Sequence, residues 1–242
     1  VGRKEKVLEV ASGITRSAAQ NYYISGQKRI GKTSLGLAIR DFVNNQGNND
    51  TVHFLYLEWG DYAAASAEDT VQTLGTSVAA VLQARLPGND TIDSSEFRGT
   101  LAPLNRLANQ LQEFFSDHKF IIILDEFDEI HPDMYRQGNL AEAIFGNIRT
   151  LSGKSNIGFI MIGGENMPFI MSAQGDQLNR FTHVPLDYFD KVTEWVDYNE
   201  LVTGPIRQFL RWHDAAVARL FDYTNGHPFY TNLISSRIYR TA

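Results

Sequence analysis

Cysteine is absent from this 242-residue chain, which excludes a disulfide framework and any thiolate-ligated zinc or redox site. Long apolar runs are missing too. Phe120–Leu124 spans five residues, against the roughly 18 that cross a membrane. The start shows no basic stretch followed by an apolar run and a small-residue cleavage site, so no secretory leader is read. Nor is there an excess of positive charge: 22 Lys and Arg face 28 Asp and Glu, a net charge of −6. That balance gains little from a phosphate backbone and weighs against non-specific nucleic-acid binding, although a local basic groove stays open. A soluble, cytoplasmic protein without a membrane partner is the expectation. Methionine is missing from position 1, and the abrupt start at Val1-Gly2-Arg3 reads as a segment of a longer polypeptide, although a processed terminus would look the same.

What the chain does have is 43% hydrophobic residues, enough for a substantial core over one or two domains. Short apolar, β-branched runs at Tyr22–Ser25, Val52–Glu58, Phe120–Leu124, Ile157–Ile162 and Phe181–Leu186 predict strands covered on both faces. Helical patterns lie between them. Ser66-Ala67-Glu68-Asp69 has the form of a capping box and precedes the stripe Val71, Leu74, Val78, Val81, Leu82. A second stripe comprises Leu104, Leu107, Leu111, Phe114 and Phe115. Asn44–Asp50 and Pro87-Gly88-Asn89-Asp90 read as polar loops. Alternating strands and helices predict a three-layer α/β domain over 1–190. From 191 to 242 the strand signals stop, and helices over Val196–Trp212, Asp214–Tyr223 and Pro228–Tyr239 predict a small helical subdomain or lid.

The strongest chemical signal is Gly26-Gln27-Lys28-Arg29-Ile30-Gly31-Lys32-Thr33, which matches G-x-x-x-x-G-K-[ST] at every fixed position, with a strand before it and an amphipathic helix after it. Glycines at 26 and 31 let the backbone turn its N–H groups inward around an anion, and the helix starting near Lys32 adds the positive end of its dipole. Lys32 is the candidate contact to β- and γ-phosphates, and Thr33 the candidate Mg²⁺ ligand. Backbone amides of Gln27, Lys28, Arg29, Ile30 and the helix start at Ser34 complete the candidate nucleotide site, with the Lys28 and Arg29 side chains expected to face solvent. Gly153-Lys154-Ser155 repeats the ending of the motif but lacks its first glycine and a following helix, so it reads as a helix-terminating turn.

Phe120–Leu124 runs into Asp125-Glu126, the Walker B pattern of an apolar strand ending in two carboxylates. Asp125 is the second candidate Mg²⁺ ligand, and Glu126 the candidate for orienting attacking water. Strand alternation would point the two acids to different sides. Asp128 and Glu129 read as a solvated turn leading to His131-Pro132, and His131 has no second histidine at metal-ligand spacing.

The phosphate loop with Ser34, the opening Val1-Gly2-Arg3 and the element Asn225-Gly226-His227-Pro228-Phe229-Tyr230 together resemble the STAND class of AAA-like signal-transduction ATPases. That class includes prokaryotic antiviral sensors, animal apoptotic and inflammasome scaffolds and plant resistance proteins. The resemblance runs from Val1 to the Gly-His-Pro element, with the two flanking elements carrying the narrower assignment. It implies a three-layer P-loop NTPase fold with parallel sheet order 5-1-4-3-2, ATP or ADP with Mg²⁺ as ligands, and adenine contacts from Val1 and Arg3. It also implies that Pro228 packs on the nucleotide from the lid. Members switch between a closed ADP-bound monomer and an ATP-bound homo-oligomer that activates a fused effector, so effector and sensor regions would lie outside this segment. Asn166, after the fourth strand, is a candidate polar sensor or a plain loop residue. Arg180 is a candidate arginine finger toward a neighbouring subunit, or a surface arginine. Glu58 is a candidate restraint on Glu126. The competing expectation is a nucleic-acid-directed AAA-type motor or loader, with the same chemistry and a different partner.

Overall fold

A computed structural model describes residues 2–48, 50–87 and 92–241, which leaves Val1 and part of both expected polar loops outside the described residues. Five strands, β1 (Asn21–Gly26), β2 (Val52–Glu58), β3 (Lys119–Asp125), β4 (Ile157–Ile162) and β5 (Phe181–Leu186), form one sheet. It is entirely parallel and runs β2-β3-β4-β1-β5, the expected order counted from the other edge. Their apolar runs are continuous because both faces are covered. Phe120, Ile122 and Leu124 of β3 pack to one side, while Ile121 and Ile123 pack to the other. A fully buried side chain of this size contributes about 1.5–3 kcal/mol.

On one face lie α1 (Lys4–Ile14) and α2 (Lys32–Val43), whose residues Val10, Ile14, Leu35 and Ile39 join Ile121, Ile123 and Ile160. The other face carries α3 (Ala67–Gln83), α4 (Pro103–Phe114), α5 (Asn139–Ser152) and the short α6 (Met167–Ser172). Ser66 caps α3 by accepting from the Asp69 amide at 3.1 Å. Both predicted stripes overshoot: Val81 is 43% and Phe114 57% exposed. The helix α1 is an addition to the predicted elements, and residues 44–48, expected as loop, continue α2 as a wide π-type turn.

After β5 the chain builds α7 (Trp195–Thr203), α8 (Asp214–Thr224) and α9 (Pro228–Thr241) around a separate apolar cluster of Phe189, Tyr198, Val202, Val217, Leu220 and Phe221. The predicted helix over 196–212 is cut short. Gly204-Pro205 ends α7 in a 3₁₀ turn, because proline cannot continue the backbone ladder. No helix among the described residues is long and apolar enough to cross a membrane.

Candidate functional site

All five strands point their carboxyl ends to one edge, where open α/β sheets place their ligands. From β1 the chain enters the loop 26–31. Gly26, Arg29 and Gly31 take positive φ of 154°, 65° and 95°, the kind of backbone from which N–H groups can form an anion-binding concavity. At Gly26 a Cβ would press on the Leu186 carbonyl of β5, so the close pairing of β1 and β5 accepts glycine alone there. Ile30 is fully buried and anchors the loop. Gly31 leaves the first turn of α2 without a side-chain cap, so its free N–H groups and dipole end face the same concavity. The Lys32 ammonium donates to the carbonyls of Gly26 (3.0 Å) and Gln27 (2.9 Å). Burial lowers its pKa, and Asp128, Asp125, Glu165 and Glu126 pull it back up, in that order.

Facing the loop is the end of β3. Asp125 is 3% exposed, and its two carboxylate oxygens accept from the Tyr56 hydroxyl (2.8 Å) and the Glu126 amide (2.9 Å). Tyr56 sits on β2 beside β3, and loss of its proton is resisted by burial and by the Asp125 contact. Glu126 departs from expectation. The strand ends at Asp125, and Glu126 turns into the left-handed region (φ 56°, ψ 31°), so this twist rather than strand alternation sends the acids to different places. Desolvation first, then Glu129, Glu58, Asp125 and Asp128, hold Glu126 above the ordinary carboxylate pKa. Glu58, at the end of β2, therefore acts on Glu126 as a like charge, and no hydrogen bond joins them among the described residues.

Phosphate loop, acidic strand end and α9 border one cavity of about 710 Å³, inside the roughly 300–1,000 Å³ typical of ligand pockets. Lys28, Arg29, Ile30, Gly31, Lys32, Thr33 and Ser34 line it from one side, and Asp125 and Glu126 from another. Gly26 and Gln27 stand behind the lining and offer their carbonyls to Lys32. Pro228 opens α9, buried, and lines the third wall. Arg3 lines it also; its guanidinium donates to the Asp187 carbonyl and lies 4.8 Å from the Phe189 ring centre.

Two further departures matter. Asp128 and Glu129 are not a solvated turn apart from the site; both line the cavity. A Cβ at Gly164 would fall 2.6 Å from an Asp128 oxygen, so the Asp128 carboxylate lies against the glycine pair after β4. The Arg29 side chain does not project freely but stacks on Phe229, 4.5 Å from its centroid. Asn166 is exposed at the start of α6, and the cavity is lined by its neighbours Gly163 and Gly164 instead. Arg180 precedes β5, at the opposite end of the sheet, with its guanidinium against Gly153. His131 is exposed, its ring nitrogen accepting from the Asp133 amide at 3.3 Å.

The donor set fits a hard cation. A hydroxyl at Thr33 and a carboxylate at Asp125, whose oxygens keep lone pairs beyond their two protein bonds, suit Mg²⁺, which takes its other ligands from phosphates and water. An all-protein metal cage is a different arrangement, and among the described residues no three His, Asp or Glu side chains gather to make one.

The model of the AAA domain family matches residues 15–171. No curated protein sequence matches the chain. Among solved structures, a Walker-type ATPase of Pyrococcus abyssi aligns with a TM-score of 0.66 and 15% identity, over 98% of this chain and 67% of its own. The ORC1 protein of Aeropyrum pernix, solved in complex with DNA, aligns at 0.58 and 13%, over 97% of this chain and 59% of its own. The ORC2 protein of Aeropyrum pernix in its ADP form aligns at 0.53 and 18%, over 95% and 58%. This chain thus spans little more than half the length of the ORC proteins, and at these identities the likeness is one of fold.

Proposed function

Because the chain belongs to the AAA domain family and has the fold of a P-loop ATPase, we propose that it binds ATP and ADP with Mg²⁺ and hydrolyses ATP slowly. The observation that carries this reading is the convergence on one cavity of loop and helix-start residues 28–34, the carboxylates Asp125 and Glu126, and the first turn of α9. In this reading the loop amides and the N-terminus of α2 hold the β- and γ-phosphates, and Lys32 offsets the charge that grows on the transferring group. Thr33 and Asp125 hold Mg²⁺, which supplies charge neutralisation across the phosphates when bound. Glu126 orients the attacking water. Tyr56 fixes the Asp125 carboxylate by donating to one of its oxygens. Arg3, Pro228 and, outside the described residues, Val1 contact the base.

The STAND-like elements extend the proposal. Residues 191–242 form a lid whose position follows the nucleotide, and the ATP state assembles a cytoplasmic homo-oligomer. That assembly activates an effector, as in antiviral sensing, encoded outside this segment. Hydrolysis resets it. Arg180, exposed at the far end of the sheet, is left as a candidate finger toward a neighbouring subunit or a surface arginine, and Asn166, which does not line the cavity, as a candidate sensor or a plain loop residue. The test is direct binding of ADP and ATP to the purified chain. Lys32→Ala should abolish measurable ATP binding; near-normal affinity would refute the assignment.

A second reading takes its support from the fold shared with an ORC1 protein solved on DNA. It makes this a nucleic-acid-directed ATPase. The net charge of −6 argues against it. Hydrolysis stimulated by added DNA would favour it over the switch.

A further inference from the structure

We propose that Arg29 is a positioning residue that holds α9 over the cavity through Phe229, so that the phosphate loop and the lid helix move as one. One loop side chain reaches the helical unit directly, and a second reaches it through Tyr188. The Arg29 guanidinium lies 4.5 Å from the Phe229 centroid, and both residues line the cavity. Gln27 accepts from the Tyr188 hydroxyl at 2.9 Å. Tyr188 in turn packs on His227, 4.9 Å between centroids, and His227 packs on Tyr230 at 4.7 Å. Loop positions 27 and 29 therefore both end on the residues that open α9.

The backbone makes the choice of arginine informative. With φ at 65°, position 29 is one that glycine occupies at no steric cost and other residues at about 1–2 kcal/mol. A long cation stands there against that cost, and what its side chain touches is the lid. Elsewhere the helical unit is tied down at a different place. The Lys4 amide donates to Asp197 on α7 at 2.9 Å. That bond holds α7, whereas Arg29–Phe229 holds the start of α9 at the cavity. Thr231 bonds to Thr224 (3.0 Å) and Tyr198 (3.3 Å), so α9 carries α8 and α7 with it.

The link to ligand rests on the nucleotide reading above. A phosphate gripped by the loop amides fixes the backbone that bears Arg29, and reciprocity requires that the seated lid raise affinity by the same factor.

Hydrogen exchange of the α9 backbone in the ligand-free protein, together with the release rate of a fluorescent ADP analogue, tests this. Arg29→Gly keeps the loop conformation comfortable while deleting the contact, and Phe229→Leu deletes it from the other side. Each should speed α9 exchange about two- to fivefold, the range for an exposed cation–π pair, and speed ADP release by a similar factor. Phe229→Leu also loses the ring contacts to His227 and Tyr230, so the double variant should do no more than Phe229→Leu alone. Arg29→Lys should restore part of the effect. Unchanged α9 exchange in Arg29→Gly, or effects that multiply in the double variant, would overturn the proposal. If the parent protein binds no ADP, the nucleotide reading fails, and the exchange measurement still decides the role of Arg29.

Discussion

Replacing Glu126 by glycine separates what its backbone costs from what its carboxylate does. Glu126 stands at φ 56°, ψ 31°, where a residue with a Cβ is strained by about 1–2 kcal/mol. Four carboxylates crowd its own, which is why its pKa is raised after desolvation has been counted. Glycine removes both penalties but adds about 0.5–1 kcal/mol of unfolded-chain entropy. The balance for Glu126→Gly is a stability equal to the parent or up to about 1.5 kcal/mol higher, which in a chain of this length raises Tm by roughly 0–6 °C. Hydrolysis should fall by about 10²–10⁴-fold, the usual worth of a general base. Glu126→Gln serves as the companion. It keeps the backbone strain, relieves the crowding, and should lose hydrolysis while retaining ATP. Urea titration and single-turnover hydrolysis measure the two halves separately. A Glu126→Gly protein destabilised by more than about 1 kcal/mol would refute the strain argument, and undiminished turnover would remove the carboxylate from the mechanism.

Tyr56→Phe should destabilise the metal-free protein by about 1.5–3 kcal/mol, because a buried carboxylate loses a charge-assisted donor. A thermal melt in EDTA reads this without any nucleotide, and a shift under about 1 °C would count against it. His53 provides a pH test. Burial, then Arg85 and His118, depress its pKa to about 4, against about 6.5 in an unfolded chain. Between those values the unfolded state binds the extra proton, so stability falls as pH drops from about 6.5 toward 4. His53→Gln should flatten that part of the stability curve, measured by urea titration at each pH, and an unchanged slope would show that His53 does not drive it. Gly164→Ala should disturb the site through Asp128, whose oxygen would lie 2.6 Å from the new Cβ. Weaker nucleotide affinity with little change in fold is expected, and normal affinity would show that Asp128 moves aside freely.

Much of this architecture can be read from residue pattern because a parallel sheet buried on both faces leaves apolar runs, and the phosphate loop needs glycine at fixed positions. What resists reading depends on contacts between distant segments. Tyr56 becomes a partner of Asp125 only through the register of β2 on β3, which pairs Glu58 with Asp125 and so sets Tyr56 beside the strand end. Asp128 belongs to the site because β3 and β4 are neighbours, bringing it onto Gly163 and Gly164. Arg29 meets Phe229 across nearly the whole chain. Other differences were legible. Val7, Val10, Ala11 and Ile14 carry the helical stripe of α1, and Gly204-Pro205 marks the break that ends α7.

The left-handed residues explain why the site itself is harder to read than the scaffold around it. Among the described residues, four that are not glycine have positive φ: Arg3, Arg29, Glu126 and Asn225. Asn225 ends α8, where asparagine tolerates that conformation well. The other three all line the cavity. Local propensity would place glycine at each, yet each bears a charged side chain with a specific destination: Phe189 and the Asp187 carbonyl for Arg3, Phe229 for Arg29, the acidic mouth of the cavity for Glu126. Strain of this kind persists where the surrounding fold over-determines it, and it concentrates where side-chain placement matters more than backbone ease. Glycine at 126 should therefore leave the scaffold as stable as before, or more so, while taking away the carboxylate at the cavity mouth.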